Sequence, residues 1–281
     1  MREVSVNTIR DIVRELCIEA NYYISDDIKE GLLNSNNKEK FEIAKEVLSK
    51  IIENDDIAKK EDMPICQDTG MACIFLDIGQ DVHFVDGNLE EAINEGVRRG
   101  YEDGYLRKSI VKDPVLNRVN TKDNTPAIIY YNIVDGNKVK ITVSPKGFGS
   151  ENMSNIAMLK PSDGIEGVKK FILRTVEEAG PNPCPPMVIG VGIGGTFDKV
   201  ALLAKKALLR PINERNKNED YAKLEEELLK DINSLGIGPQ GFGGLTTALG
   251  INIETYPTHI AGMPVAVNIS CHVTRHKERV I

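Results

Sequence analysis

Apolar positions recur at helical spacing near the start of the chain, where Ile9, Ile12, Val13, Leu16, Cys17 and Ala20 share one stripe. A second stripe, Phe41, Ala44, Val47, Leu48, Ile51 and Ile52, follows a capping-box spacing of Asn36 and Glu39 and is expected to end near Lys60, ahead of Pro64. The period then changes. Residues 71–78 form a near-continuous apolar run, as a buried strand does. Asn88 and Glu91 bracket another helix start, with Leu89, Ala92, Ile93 and Val97 on one face. Residues 127–134 and 138–143 flank Asp135-Gly136-Asn137 and predict a β-hairpin whose second strand places Val139, Ile141 and Val143 on one side. Asp163 and Glu166 open a helix with Val168, Phe171, Ile172, Thr175 and Val176 inward, and Gly180 closes it. A strand from Val188 runs into a glycine-dense turn, and the helix after it is apolar on most faces, so it is expected to be buried. Residues 221–235 predict an acidic surface helix, and residues 245–255 and 264–269 predict the closing strands.

Strands and helices therefore alternate, with no Pro/Ser-rich linker, low-complexity tract or repeat. The expectation is an α/β fold, a mixed sheet surrounded by helices, in one domain over residues 1–281. The net charge of −7 comes with no basic block, which argues against a nucleic-acid or anionic-membrane surface. An anionic substrate would need a local basic pocket. The stretch 104–114, with Arg107, Lys108 and Lys112, carries a compact cluster of positive charge. No apolar run is long enough to span a bilayer, and the N-terminal segment is amphipathic rather than a signal peptide, so a cytoplasmic location is expected.

Five cysteines in a long chain without a secretion signal suit metal or catalytic use better than a disulfide framework. Cys17 and Cys73 fall on a helix stripe and inside an apolar strand, and read as core. Cys66, Cys184 and Cys271 stand apart. Cys66 sits in the turn Pro64-Ile65-Cys66-Gln67-Asp68-Thr69-Gly70, Cys184 between prolines in Asn182-Pro183-Cys184-Pro185-Pro186, and Cys271 before His272. Three dispersed thiols suit either a metal or cluster site built from converging loops, with a coordination position left open, or unrelated free thiols. Gly190-Val191-Gly192-Ile193-Gly194-Gly195 matches the dinucleotide pattern, but residues 210–216 after the helix carry no strand signal. These glycines are expected instead to bring backbone N–H groups close to an anion or cluster.

The chain resembles the α subunit of class I fumarate hydratase and L(+)-tartrate dehydratase, the iron–sulfur hydro-lyases, over nearly its whole length. The resemblance rests on Cys66-Gln67-Asp68-Thr69-Gly70, Leu106-Arg107-Lys108-Ser109, Pro145-Lys146-Gly147-Phe148-Gly149-Ser150-Glu151-Asn152, Cys184-Pro185-Pro186 with the glycines at 190–195, the second glycine-rich loop at 236–244, and Pro257-Thr258-His259 through Cys271-His272. Family members often carry a third glycine where this chain has Phe148. The resemblance implies a [4Fe–4S] cluster on Cys66, Cys184 and Cys271, with Gln67, Arg107 and Gly149 binding a small dicarboxylate and Asp68 and His259 moving protons. Malate/fumarate is the leading substrate pair and tartrate or another hydroxy-diacid the alternative. It also implies a β subunit, supplied by another polypeptide, that completes the pocket. The patch exposed without it is expected to allow a homodimer of α. Other readings of the same residues are a turn role for Asp68, a hydrogen-bonded imidazole for His259 and a surface ion pair for Arg107. A reading from another class is a non-catalytic iron–sulfur carrier or sensor.

Overall fold

The computed structural model describes all 281 residues. Its elements run β1 (Arg2–Ser5), α1 (Val6–Tyr22), α2 (Asp26–Lys38), α3 (Glu42–Glu61), β2 (Met71–Gly79), β3 (Val82–Val85), α4 (Leu89–Asp103), β4 (Ile128–Val134) and β5 (Val139–Lys146). There follow α5 (Phe148–Glu151), β6 (Asn155–Leu159), α6 (Gly164–Ala179), β7 (Met187–Gly194), α7 (Phe197–Ala207), α8 (Glu219–Ser234), β8 (Ala248–Tyr256), β9 (Met263–Ser270) and β10 (Lys277–Val280). The fold is mixed α/β, with mixed sheets flanked by helices. Two compact units are present: Met1–Ile24, Asp55–Phe148 and Arg275–Ile281 form one, and Ser25–Asn54 with Gly149–Thr274 the other. Both are discontinuous in sequence, so no linker composition marks where one gives way to the other.

In the first unit the sheet order is β10-β5-β2-β4. The expected hairpin of β4 and β5 does not form. β2 lies between them, parallel to β4 and antiparallel to β5. The Asp135-Gly136-Asn137 turn instead closes over the end of β2, where Gly79 N–H donates to Lys138 O and Gln80 N–H to Val134 O. Val139, Ile141 and Val143 are fully buried, and Ile9, Leu16 and Cys17 of α1 and Ile93 and Val97 of α4 join the same core. Asn88 caps α4 through its side-chain oxygen, as its spacing to Glu91 predicts.

In the second unit the order is β6-β9-β7-β8, with β7 parallel to β8 and antiparallel to β9. Gly180 closes α6 as expected, its N–H donating to Val176 O. α2 has no counterpart in the sequence reading. Asn36 lies inside α2 rather than at a helix start, and the Glu39 carboxylate instead accepts the N–H groups of Lys40 and Phe41. Only one face of α7 is buried, through Val200, Leu203, Ala204 and Ala207. Gly190 and Gly192 lie under that face. A Cβ on Gly190 would stand 2.1 Å from Ala204 O, and one on Gly192 2.2 Å from Val200 O. Both residues are in register with β8 and β9. They serve close helix-on-strand packing, not the presentation of N–H groups to an anion. No helix of the chain is long and apolar enough to cross a membrane.

Candidate active site

The first unit carries Cys66, Gln67, Asp68 and Arg107. The loop from Cys66 to Gly70 is tied at successive carbonyls. Arg275 donates through Nη2 to Asp68 O. The buried Tyr101 hydroxyl lies 2.8 Å from Thr69 O and 3.1 Å from Gly70 O, and Asn124 Nδ2 donates to Gly70 O at 3.1 Å. Gly70 has φ +73°, and a Cβ there would meet the Lys146 backbone at 2.7 Å, so only glycine fits. The Asp68 carboxylate accepts N–H groups from Gly70 (3.0 Å) and Phe148 (2.9 Å), joining this loop to the glycine-rich turn after β5. Thr69 Oγ1 donates to Arg107 O at 3.0 Å, which fixes the Arg107 backbone beside the loop. The Arg107 side chain is exposed and has no ion-pair partner, whereas its neighbour Lys108 pairs with Glu102.

The second unit carries Cys184, Cys271, Gly149 and His259. Val188 of β7 stands opposite Ser270 of β9, so the loop before β7 and the residue after β9 share one end of the sheet. Cys184 and Cys271 are on those two segments. His272 Nδ1 lies 2.9 Å from Cys184 O, and Gln240 Nε2 donates to Pro185 O at 2.9 Å and lies 3.3 Å from the same imidazole nitrogen. The Gln240 backbone N–H also donates to Pro185 O. These contacts hold Cys184 at φ +54°, a left-handed conformation uncommon for a residue with a side chain. Gln240 escaped the sequence reading. Its only signal was its place inside the second glycine-rich loop, where a φ of +52° marks it as part of the local geometry. Gly149 is at the same end, with Asn182 O 3.9 Å from where its Cβ would be, so the position has room for a methyl group.

His259 is not brought to that end. It follows β8, whose last residue Tyr256 is in register with Gly194, the last of β7. Roughly 23 Å of strand, seven steps at about 3.3 Å, separates the two ends of β7. There His259 borders a cleft of about 350 Å³ with Thr196, Lys199, Tyr256 and Thr258. Thr258 Oγ1 donates to Gly195 O at 2.9 Å, and His259 Nδ1 accepts the Ala261 N–H at 3.2 Å. A neutral imidazole accepting at Nδ1 carries its proton on Nε2 and presents that nitrogen as a donor.

Within neither unit do three His, Cys, Asp or Glu side chains gather at metal-binding distance. The donor chemistry nevertheless fits a cluster held by three loops. Cys184 is exposed and Cys66 and Cys271 are partly so, while Cys17 and Cys73 are buried. Burial pushes the Cys17 thiol up to about 12, far from a thiolate donor at neutral pH.

The profile of the fumarate hydratase (Fumerase) family matches residues 10–280. A Methanocaldococcus jannaschii chain provisionally named L(+)-tartrate dehydratase subunit alpha is 46% identical over 273 residues, 95% of each chain. The L(+)-tartrate dehydratase subunit alpha of Escherichia coli K12 is 31% identical over 278 residues, 98% of this chain and 91% of the relative, and that of Shigella sonnei matches equally. The chain belongs to the fumarate hydratase family, a family of hydro-lyases.

Proposed function

We propose that this chain is the α subunit of an iron–sulfur hydro-lyase that adds or removes water on a hydroxy-dicarboxylate. The observation that carries the reading is the sorting of the five thiols. The three in family-matching loops are accessible, and the two outside them are buried. Cys66, Cys184 and Cys271 would hold a [4Fe–4S] cluster, which supplies a Lewis-acidic iron with no protein ligand. Arg107, exposed and without an acidic partner, is suited to pair with a substrate carboxylate through its planar fork. The Gln67 side chain is exposed on the Cys66–Gly70 loop and can donate an amide hydrogen to the substrate. The open space at Gly149 leaves its backbone free to approach a ligand. Asp68, held as an acceptor by two N–H groups, and His259, a donor at Nε2, are the proton-handling pair.

Malate/fumarate led the sequence reading. The names of the relatives move the weight to L(+)-tartrate. Both substrates are four-carbon diacids with a hydroxyl next to a carboxylate, so the residue roles are unchanged. The same names support a β subunit as partner. His259 lies one strand length from Cys184 and Cys271, and the expected α homodimer would bridge that gap by bringing the His259 of one copy to the cluster of another.

The test is anaerobic iron loading followed by turnover. Wild-type protein should hold about four irons per chain. Loaded α alone should leave L(+)-tartrate and malate unchanged, and α with its β chain should dehydrate one of them. An iron-free protein after reconstitution, or full turnover by α alone, overturns the reading.

A further inference from the structure

Arg275 is 5% exposed, yet its only side-chain hydrogen bond goes to a neutral group, the Asp68 carbonyl. Its Nε and Nη1 are buried without any partner. A guanidinium does not shed its proton in a protein, so burial leaves a full positive charge in a medium that screens it poorly. Leaving such a charge without an anion is strongly destabilising. The groups around it do not supply one. Tyr101 is buried and its hydroxyl is held well above its usual range, first of all by that burial, so the phenol stays neutral. The Asp68 carboxylate is committed to the Gly70 and Phe148 N–H groups.

A buried cation thus stands beside the Cys66–Gly70 loop, and the one carboxylate of that loop is already bonded to backbone N–H groups. Arg275 has no anionic hydrogen-bond partner of its own. A cubane cluster bound by three thiolates carries a net negative charge, and Cys66 is two residues from the carbonyl that Arg275 holds. Ser144 Oγ donates to Arg275 O at 3.2 Å, so the arginine backbone is itself anchored to β5.

We propose that Arg275 is the positioning residue and counter-cation of the Cys66 arm of the cluster site: it fixes the Cys66–Asp68 turn through the Asp68 carbonyl and offsets the charge of the thiolate-bound cluster. The inference rests on the iron–sulfur reading above.

The experiment is an anaerobic redox titration of the iron-loaded chain, with iron release to a chelator measured alongside, for wild type, Arg275→Lys, Arg275→Gln and Arg275→Met. Far-UV circular dichroism checks that each variant folds. The neutral variants should shift the cluster to a more negative potential and lose iron about tenfold faster, the lower end of what loss of an outer-shell partner costs a metal site. Arg275→Lys keeps the charge and loses the fork, so it should hold its potential near wild type while releasing iron faster. A purely structural role would move iron release in all three variants and the potential in none. Wild-type potential in folded Arg275→Gln or Arg275→Met overturns the proposal. If neither neutral variant folds, Arg275→His decides: a potential that falls relative to wild type as pH rises and the imidazole loses its charge supports the counter-cation, and one that tracks wild type across that range refutes it. A wild-type chain that takes up no iron defeats the iron–sulfur reading instead, so the two failures are separable.

Discussion

At the scale of the residue, the five cysteines differ by environment. Cys17 packs in α1, and a Cβ on Gly100 would stand 2.8 Å from its own Cβ, so the site is tightly filled. With its thiol pushed up to about 12, Cys17 should resist alkylation at pH 8 in the native, iron-free protein, as should buried Cys73. Cys66, Cys184 and Cys271 should be modified, and bound iron should protect them. Mass spectrometry of the labelled peptides reads the pattern directly, and rapid labelling of Cys17 would contradict its close packing. Cys17→Ala should cost about 1 kcal/mol of stability and leave iron uptake intact. Cys184→Ala, at an exposed turn, should leave stability near wild type and abolish the cluster. The accessible turns of Cys66, Cys184 and Cys271 were legible in the sequence because prolines, Asp68 and Gly70 mark them, and the family was legible because a whole set of ordered motifs matched it. Arg275 was not. Nothing in Thr274-Arg275-His276 signals that the side chain folds inward, since burial of a charge is decided by what surrounds it in three dimensions.

At the scale of the element, local patterns were read correctly where one helix face or strand face decided the outcome. α1, α4 and α6 carry the apolar stripes that their sequences announce, with Asn88 capping α4 and Gly180 closing α6, although Asp163 makes no side-chain cap bond at the start of α6. Pairing was not legible. The Asp135-Gly136-Asn137 turn looks like a hairpin signal, but a turn fixes only the reversal of the chain, and here a third strand fills the space between the two arms. α2 was missed because its mean polarity is high and only Ile28 and Leu32 are buried. The glycines of β7 were misread for a similar reason: their value lies in what packs against them. Gly192→Ala tests this. The added methyl would approach Val200 O at 2.2 Å and force α7 away from β7, at a cost of about 1 to 3 kcal/mol. A thermal melt should show a lower midpoint, with Cys184 labelling unchanged, because the far end of β7 carries the loop. A stability equal to wild type would mean that α7 is not seated on these glycines.

At the scale of the whole molecule, the candidate residues of the second unit sort to the two ends of one sheet. Cys184, Cys271 and Gly149 share one end, and His259 lies at the other. If two copies exchange these ends, inactive variants should rescue each other. Mixing His259→Asn and Cys184→Ala α chains with β, under conditions that allow subunit exchange, should return about a quarter of wild-type turnover, since half of the complexes are mixed and each holds one intact site out of two. No recovery from verified mixed complexes would place the proton donor elsewhere. The proposed α–β contact should bury on the order of 2,000 Å² or more, which sedimentation of the assembled complex and protection from hydrogen exchange can outline.

The tie between Arg275 and the Cys66 turn spans 207 residues of chain. At about 5 to 20 residues per second, a ribosome needs about 10 to 40 seconds to travel from one to the other. Through that interval Cys66 is already made but its turn is not yet fastened. β5, which receives β10 along one edge and β2 along the other, likewise waits for the last stretch before its sheet is whole. Iron delivered to a nascent chain would meet one thiol and then two, never three in fixed positions. On the iron–sulfur proposal, cluster insertion would therefore come only after synthesis has passed Arg275, and a cell starved of iron would accumulate folded chains with accessible thiols rather than half-built sites.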